Sequence, residues 1–166
     1  FKCGNFFPIP EPLIQKKISR VMSLRDGKKK MSKSEDSDYS RINLTDSEDD
    51  IRKKIKKAKT DSSPIPENLE DLKNRPEALN LLTIYSSVLG SSLEKTLKET
   101  SGKDFSKFKD NLSDVLIATI CPIGKKIKEL NKDTSYLSKV LMEGSNKAKK
   151  ISEDNIKKIK KIVGFV

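Results

Sequence analysis

From Phe105 to Leu130 apolar residues recur every three or four positions, through Phe108, Leu112, Val115/Leu116, Ile120, Ile123 and Ile127. Only a helix gathers such a set on one face, so the spacing predicts a long amphipathic helix that must bury this face against neighbours. Pro122 removes one internal hydrogen bond and predicts a kink near residues 118–122. Helical signals surround it. Thr45 and Glu48 read as a capping box, with Asp46, Asp49 and Asp50 at the positive end of a helix whose apolar positions are Ile51, Ile55 and Ala58. A loop with Pro64, Pro66 and Pro76 leads to a helix over 77–89 stopped at Gly90, and Ser91 with Glu94 caps a short helix ending near Gly102. A last pair is expected, Tyr136 to Leu141 and then, past Gly144, Ala148 to Val163. No repeat of solenoid length is present.

The first 44 residues read differently. In FFPIPEPLI (6–14) three alternate prolines forbid a helix and force an extended path. Arg20-Val21-Met22-Ser23-Leu24 reads as a short buried strand, emptying into the Lys-rich loop from Asp26 to Ser34. The expectation is a mainly α chain in two parts: residues 1–44 with one short strand and its loop, and residues 45–166 as a bundle of five or six helices.

Composition narrows the chemistry. The 166 residues contain 35 Lys and Arg, 24 Asp and Glu and no His, for a net charge of +11. Without imidazole, Ser-His-Asp and Cys-His catalysis and His-ligated zinc are excluded. Cys3 and Cys121 form no CxxC and are expected as small buried apolar residues in a reducing compartment. The longest apolar stretch, Val115 to Ile123, falls far short of the ~20 residues of a bilayer span, so a soluble chain is expected. The start at Phe1, with neither signal nor transit character, reads as a cut edge.

Lys30-Met31-Ser32-Lys33-Ser34 is the segment with a chemistry of its own. Two ammonium groups three residues apart, on flexible stems beside small hydroxyls, can converge on a polyphosphate as its oxygens move. Met31 can anchor the loop on an apolar wall. The bland alternative is a solvated basic turn, and five residues alone leave the two readings even.

More than five residues match. RVMSLRDGKKKMSKS resembles the strand and KMSKS loop of the class I aminoacyl-tRNA synthetases, in particular the tryptophanyl-tRNA synthetase family of bacterial and mitochondrial type. The resemblance continues in order through LTDSEDDIRKKIKKAKTDS, NRPEALNLLTIYS, FSKFKDNLSDVL, CPIGKKIKEL, YLSKVLMEGSNKAKKIS and KKIVGFV. It implies the C-terminal end of a Rossmann-type catalytic domain, followed by a helical domain that reads the anticodon. The implied reaction is ATP-dependent formation of tryptophanyl-adenylate and transfer of tryptophan to tRNA(Trp). Lys30 and Lys33 would then be catalytic, contacting the leaving pyrophosphate. Lys30, Met31, Ser32, Lys33 and Ser34 would close over ATP, and Val21 would offer a backbone contact to adenine. Mg2+ would arrive with ATP rather than in a protein metal site, and the full-length enzyme would be a homodimer. The FFPIPEPLI lead-in resembles mitochondrial members, implying the mitochondrial matrix, with a bacterial or organellar cytoplasm as the alternative. The family's HxGH-type motif needs His, so it and the tryptophan pocket are expected upstream and the chain alone is expected to be inactive. Glu77-Ala78-Leu79 departs from the family's Gly-Val-Ser before Asn-Leu-Leu.

Arg52, Lys53, Lys54, Lys56, Lys57 and Lys59 crowd one helix, and Lys147, Lys149, Lys150, Lys157, Lys158, Lys160 and Lys161 load the last. Such faces form an electrostatic footprint for a phosphate backbone, with Lys53, Lys54 and Lys57 as candidate tRNA contacts. Phe105, Phe108 and Tyr136 lie on apolar faces and are expected as core. Two readings compete with the ligase: a stand-alone basic helical module that binds RNA without catalysis, and a basic surface for acidic partners or anionic membrane. The last is weakest, because the basic helices lack a bulky aromatic face.

Overall fold

The computed structural model describes residues 6–14 and 20–165, which puts Cys3 outside the described residues. The chain divides into two compact units, Ile14–Ile127 and Phe1–Leu13 with Lys128–Val166.

In the larger unit, α1 (Glu48–Lys57) begins at Ser47, whose hydroxyl accepts the Asp50 amide at 3.2 Å while the Asp50 carboxylate accepts the Ser47 amide at 3.2 Å. The capping box therefore lies two residues beyond the expected Thr45 and Glu48. Asp46 explains the shift: its carboxylate accepts the Asn43 amide at 2.9 Å and its own amide donates to the Asn43 carbonyl at 3.1 Å, which holds Thr45 in a turn. The proline-bearing segment, expected as loop, contains a short helix α2 (Leu69–Lys73), because Asn68 caps it by accepting the Asp71 amide.

Pro76 occupies the first position of α3 (Pro76–Val88), where its missing N–H is no loss. Ser92, one residue past the expected Ser91, caps α4 (Leu93–Thr100). The long helix α5 (Phe105–Leu130) is helical through Pro122. Its apolar face meets the expectation in its first half, where Phe105, Phe108, Leu112 and Leu116 are buried, and departs from it at Ile123, which is 43% exposed.

These side chains share one core with Leu24, Ile51, Ile55, Ile65, Leu72, Ala78, Leu81, Leu82 and Leu97. Leu24 belongs to the first part read from the sequence and Ile51 to the second, so compactness does not divide the chain at the step from 44 to 45. Two glycines bring backbone against backbone in this core. A Cβ on Gly27 would lie 2.5 Å from the Pro76 carbonyl carbon and the Glu77 nitrogen, and one on Gly124 would lie 2.5 Å from the Leu44 oxygen. The turn before the Lys30–Ser34 loop thus rests on α3, and the segment after it rests on α5.

The expected strand over 20–24 is reduced to an isolated antiparallel bridge between Met22 and Lys30. A strand needs a ladder, and only Lys29–Met31 pairs with this segment in ladder fashion among the described residues. Its remaining backbone bonds go to the Asn80 side chain, to Ser40 at the end of a single helical turn (Asp38–Ser40) and to Lys59.

In the smaller unit, α6 (Thr134–Val163) is one helix of 30 residues and not the expected pair. Asp133 caps its start and Gly164 its end. Gly144 inside it costs only about 1 kcal/mol, too little to break a helix of good formers. None of its described side chains is buried, and Tyr136, expected as core, is 50% exposed.

Candidate functional site

The loop from Lys30 to Ser34 edges a cleft of about 630 Å³ lined by Arg20, Val21, Lys30, Met31, Ser32, Lys33 and the segment Arg41–Thr45. Its polar edge carries four cationic side chains, Arg20, Lys30, Lys33 and Arg41, and its apolar lining comes from Val21, Met31, Ile42 and Leu44. Lys30 and Lys33 are exposed and form no ion pair among the described residues. Unpaired ammonium groups beside an apolar wall suit an anion carried on a flat or apolar body.

Local bonds shape the loop. The Ser32 hydroxyl accepts the Ser34 amide at 3.2 Å and lies 3.0 Å from the Ser34 hydroxyl, a turn that exposes Lys33 at its tip. Met31 is half-buried and packs on the core beside Ile42. Val21 is 38% exposed, and its carbonyl accepts the Met31 amide at 3.0 Å. Beyond the loop, the Arg41 guanidinium donates to the Glu35 carbonyl at 2.9 Å and pairs with Asp38 at 3.0 Å, closing the return path.

Lys54 has a different place from the one its spacing suggests. It is 4% exposed, with its ammonium 2.6 Å from an Asp38 oxygen and 2.7 Å from an Asp46 oxygen. Burial works against its charge, but the hydrogen bonds to Asp38 and Asp46 outweigh that and hold its pKa above the ordinary value. The same bond from Lys54 holds the Asp38 carboxyl below its usual range. The structure therefore removes Lys54 from the candidate RNA face and makes it a tie between α1 and the segment that follows the loop. Lys53 and Lys57 stay exposed, the Lys57 ammonium lying 4.3 Å above the Tyr39 ring. The basic residues of α6 named above are also exposed.

Arg20, Arg41 and Asn80 were not singled out by motif. The two arginines flank the loop by seven to ten residues, but nothing in their spacing distinguishes them from other basic residues of so basic a chain. Asn80 did carry a signal, an amide set inside the apolar run Ala78-Leu79-Asn80-Leu81-Leu82.

Residues 2–121 match the family model described as "tRNA synthetases class I (W and Y)", and the chain belongs to that family. Within it, the chain is similar to the tryptophan–tRNA ligase of Caulobacter vibrioides, at 45% identity over 165 residues, 99% of this chain and 48% of the relative. It is also similar to the crystal structure of tryptophanyl-tRNA synthetase from Mycoplasma pneumoniae, with a TM-score of 0.73 at 26% identity over 90% of this chain and 46% of that one. A third likeness is the Campylobacter jejuni enzyme complexed with ADP and tryptophan, with a TM-score of 0.67 at 27% identity over 97% of this chain and 48% of that one. The chain spans about half the length of the curated relatives it matches. Those relatives are bacterial, from Caulobacter, Brucella and Rickettsia among others. That overturns the mitochondrial matrix expected from the lead-in.

Proposed function

We propose that this chain is the part of a tryptophan–tRNA ligase that closes over ATP and carries the tRNA-facing helices. The observation that carries the reading is the cleft at Lys30 and Lys33, where unpaired cations meet an apolar wall. In the proposed reaction a tryptophan carboxylate oxygen attacks the α-phosphorus of ATP, and the bond to the bridging oxygen of pyrophosphate breaks. Negative charge grows on the leaving oxygens, and Lys30 and Lys33 stabilise it more in the transition state than in the ground state. Met31 seats the loop, the Ser32 and Ser34 hydroxyls set its turn, and Val21 offers main chain beside the apolar wall where an adenine would lie. Mg2+ comes with the nucleotide as part of the substrate.

Lys53 and Lys57 on α1, with the basic face of α6, are proposed to contact the tRNA(Trp) backbone. Residues 1–44 then serve catalysis, residues 45–166 serve tRNA, and the full-length enzyme works as a homodimer. The test joins this chain to the N-terminal half of the Caulobacter vibrioides relative and measures tryptophan-dependent exchange of pyrophosphate into ATP. The fusion should catalyse exchange and the chain alone should not. A fusion that folds yet shows no exchange would overturn the reading.

A further inference from the structure

Asn80 is 5% exposed, and its whole carboxamide is committed to one backbone segment. Its Oδ1 accepts the Met22 amide at 2.9 Å, and its Nδ2 donates to the Met22 carbonyl at 2.9 Å and the Ser23 carbonyl at 3.3 Å. A neighbouring strand would supply a similar donor and acceptor to this edge; here one side chain of α3 does so. On the opposite edge of the same segment, the Ser23 amide donates to the Lys29 carbonyl at 2.8 Å and the Met31 amide to the Val21 carbonyl at 3.0 Å. Met22 itself bridges to Lys30. The path from α3 to the loop lysine thus runs from Asn80 to Met22 through two hydrogen bonds, and from there to the facing residue Lys30 through the Ser23–Lys29 and Val21–Met31 bonds that flank the pair.

An isolated bridge holds register poorly, because it has no ladder to average over. Gly27 seats the turn end of this pair on the start of α3, and the Asp26 carbonyl accepts the Lys29 amide at 3.1 Å to close that turn. The open end, where Val21 faces Met31 and Lys30 leaves for the cleft, has Asn80 beside it. We propose that Asn80 is a positioning residue for the ligase reaction: it fixes Val21–Ser23 against Lys29–Met31 and so sets the point from which Lys30 reaches the leaving phosphate. The proposal rests on the ligase reading above. Asn80 acts through the backbone of Met22, so its loss should displace the loop root and lower turnover while leaving tryptophan affinity, set elsewhere, unchanged.

The experiment has two arms. In the fusion, Asn80→Ala should lower the exchange kcat about 10- to 100-fold with the KM for tryptophan within about twofold. Asn80→Asp should not rescue it, since a carboxylate cannot donate to the Met22 and Ser23 carbonyls. Combined with Lys30→Ala, Asn80→Ala should cost about tenfold less than the product of the two single effects, because both act on the same loop. Leu97→Ala, a buried truncation on α4, is the structural comparison and should multiply with Lys30→Ala. In the 166-residue chain by itself, Asn80→Ala should speed amide exchange at Ser23 and Met31 at least about tenfold while Leu112 and Leu116 on α5 keep their protection. Unchanged protection at Ser23 and Met31 would overturn the positioning role, and so would fully multiplicative effects of Asn80→Ala and Lys30→Ala. If instead Lys30→Ala alone leaves exchange intact, the ligase reading falls, while amide exchange still decides whether Asn80 anchors the segment.

Discussion

The Lys54 ammonium lies 2.7 Å from the Asp46 carboxylate, and the two side chains are 5% and 9% exposed. Asp46 also holds the turn at Asn43, and Lys54 reaches Asp38 as well, so one cation joins α1 to both ends of the segment that returns from the loop. Removing one partner leaves a buried charge with half its compensation. Asp46→Ala should therefore destabilise the chain by about 3 kcal/mol, the low end for breaking a buried pair, because Asp38 remains. Lys54→Met alone leaves the Asp46 carboxylate buried without its cation, whereas Lys54→Met combined with Asp46→Ala removes both buried charges and should cost less than the sum of the two single substitutions. Urea unfolding of the two single variants and the double checks this, and additive costs would mean that the two charges do not compensate one another.

The burial of Lys54 sharpens the expectation for RNA. Lys53→Glu with Lys57→Glu should weaken tRNA binding while far-UV circular dichroism stays unchanged, and the log–log salt slope should fall by about one for each phosphate no longer neutralised. Lys54→Glu should instead unfold the region, because it places a third carboxylate against Asp38 and Asp46. Filter binding across a salt series distinguishes the two kinds of lysine. Binding indifferent to salt would remove α1 from the interface.

Much of this arrangement was legible in the sequence, and the departures have local causes. The period from Phe105 to Leu116 forecast the buried face of α5, because burial and helical spacing agree there. Spacing could not forecast the fate of Ile123 or Tyr136, since periodicity reports a face and not whether a neighbour covers it. The capping box moved from Thr45 to Ser47 because both segments fit the pattern, and only the tie between Asn43 and Asp46 chooses between them. The lysines of α1 look alike in sequence; Lys54 differs only through carboxylates eight residues before it on Asp46 and sixteen before it on Asp38, brought back by the turn. The loop itself was readable as a motif, whereas its support by Asn80 depends on a contact 58 residues away in sequence.

Acid should weaken the fold in a defined window. Hydrogen bonds from Arg75 hold the Asp61 carboxyl below its usual range, Lys59 does the same for Glu77, and Lys54 for Asp38. A carboxyl with a lowered native pKa binds fewer protons folded than unfolded, so its stabilisation is complete above the ordinary carboxylate range near about pH 4 and disappears as pH falls through the lowered native values. Stability should be level from about pH 7 to 5 and decline below about pH 4. Arg75 also donates to the Pro64 and Ser63 carbonyls, at 2.6 and 2.8 Å, so Arg75→Met should both lower stability at neutral pH and flatten the acid slope. Urea midpoints from neutral pH to pH 3 measure both effects, and an acid slope unchanged in Arg75→Met would show that Asp61 is not one of its sources.

The loop lysines offer the most direct chemical prediction, because they sit on one cleft while their neighbour Lys28 does not line it. In the proposed reaction each of Lys30 and Lys33 supplies a charge that meets the leaving pyrophosphate as it forms. In the fusion with the relative's N-terminal half, Lys30→Ala or Lys33→Ala should slow pyrophosphate exchange by about 10²- to 10³-fold, the effect of losing one preorganised charge-stabilising donor. Tryptophan affinity should scarcely change, since the interaction strengthens only as the phosphate bond breaks. Arginine should rescue neither position fully, because a planar fork cannot follow moving oxygens as a flexible ammonium can. Lys28→Ala removes an equal charge from the same loop and tests whether the effect is merely electrostatic. Its side chain lies off the cleft, and its amide bond to Asp26 survives the substitution, so exchange should fall by less than about threefold. Three equal and small effects would make the segment an ordinary basic turn, and the role assigned to Lys30 and Lys33 would have to be given up.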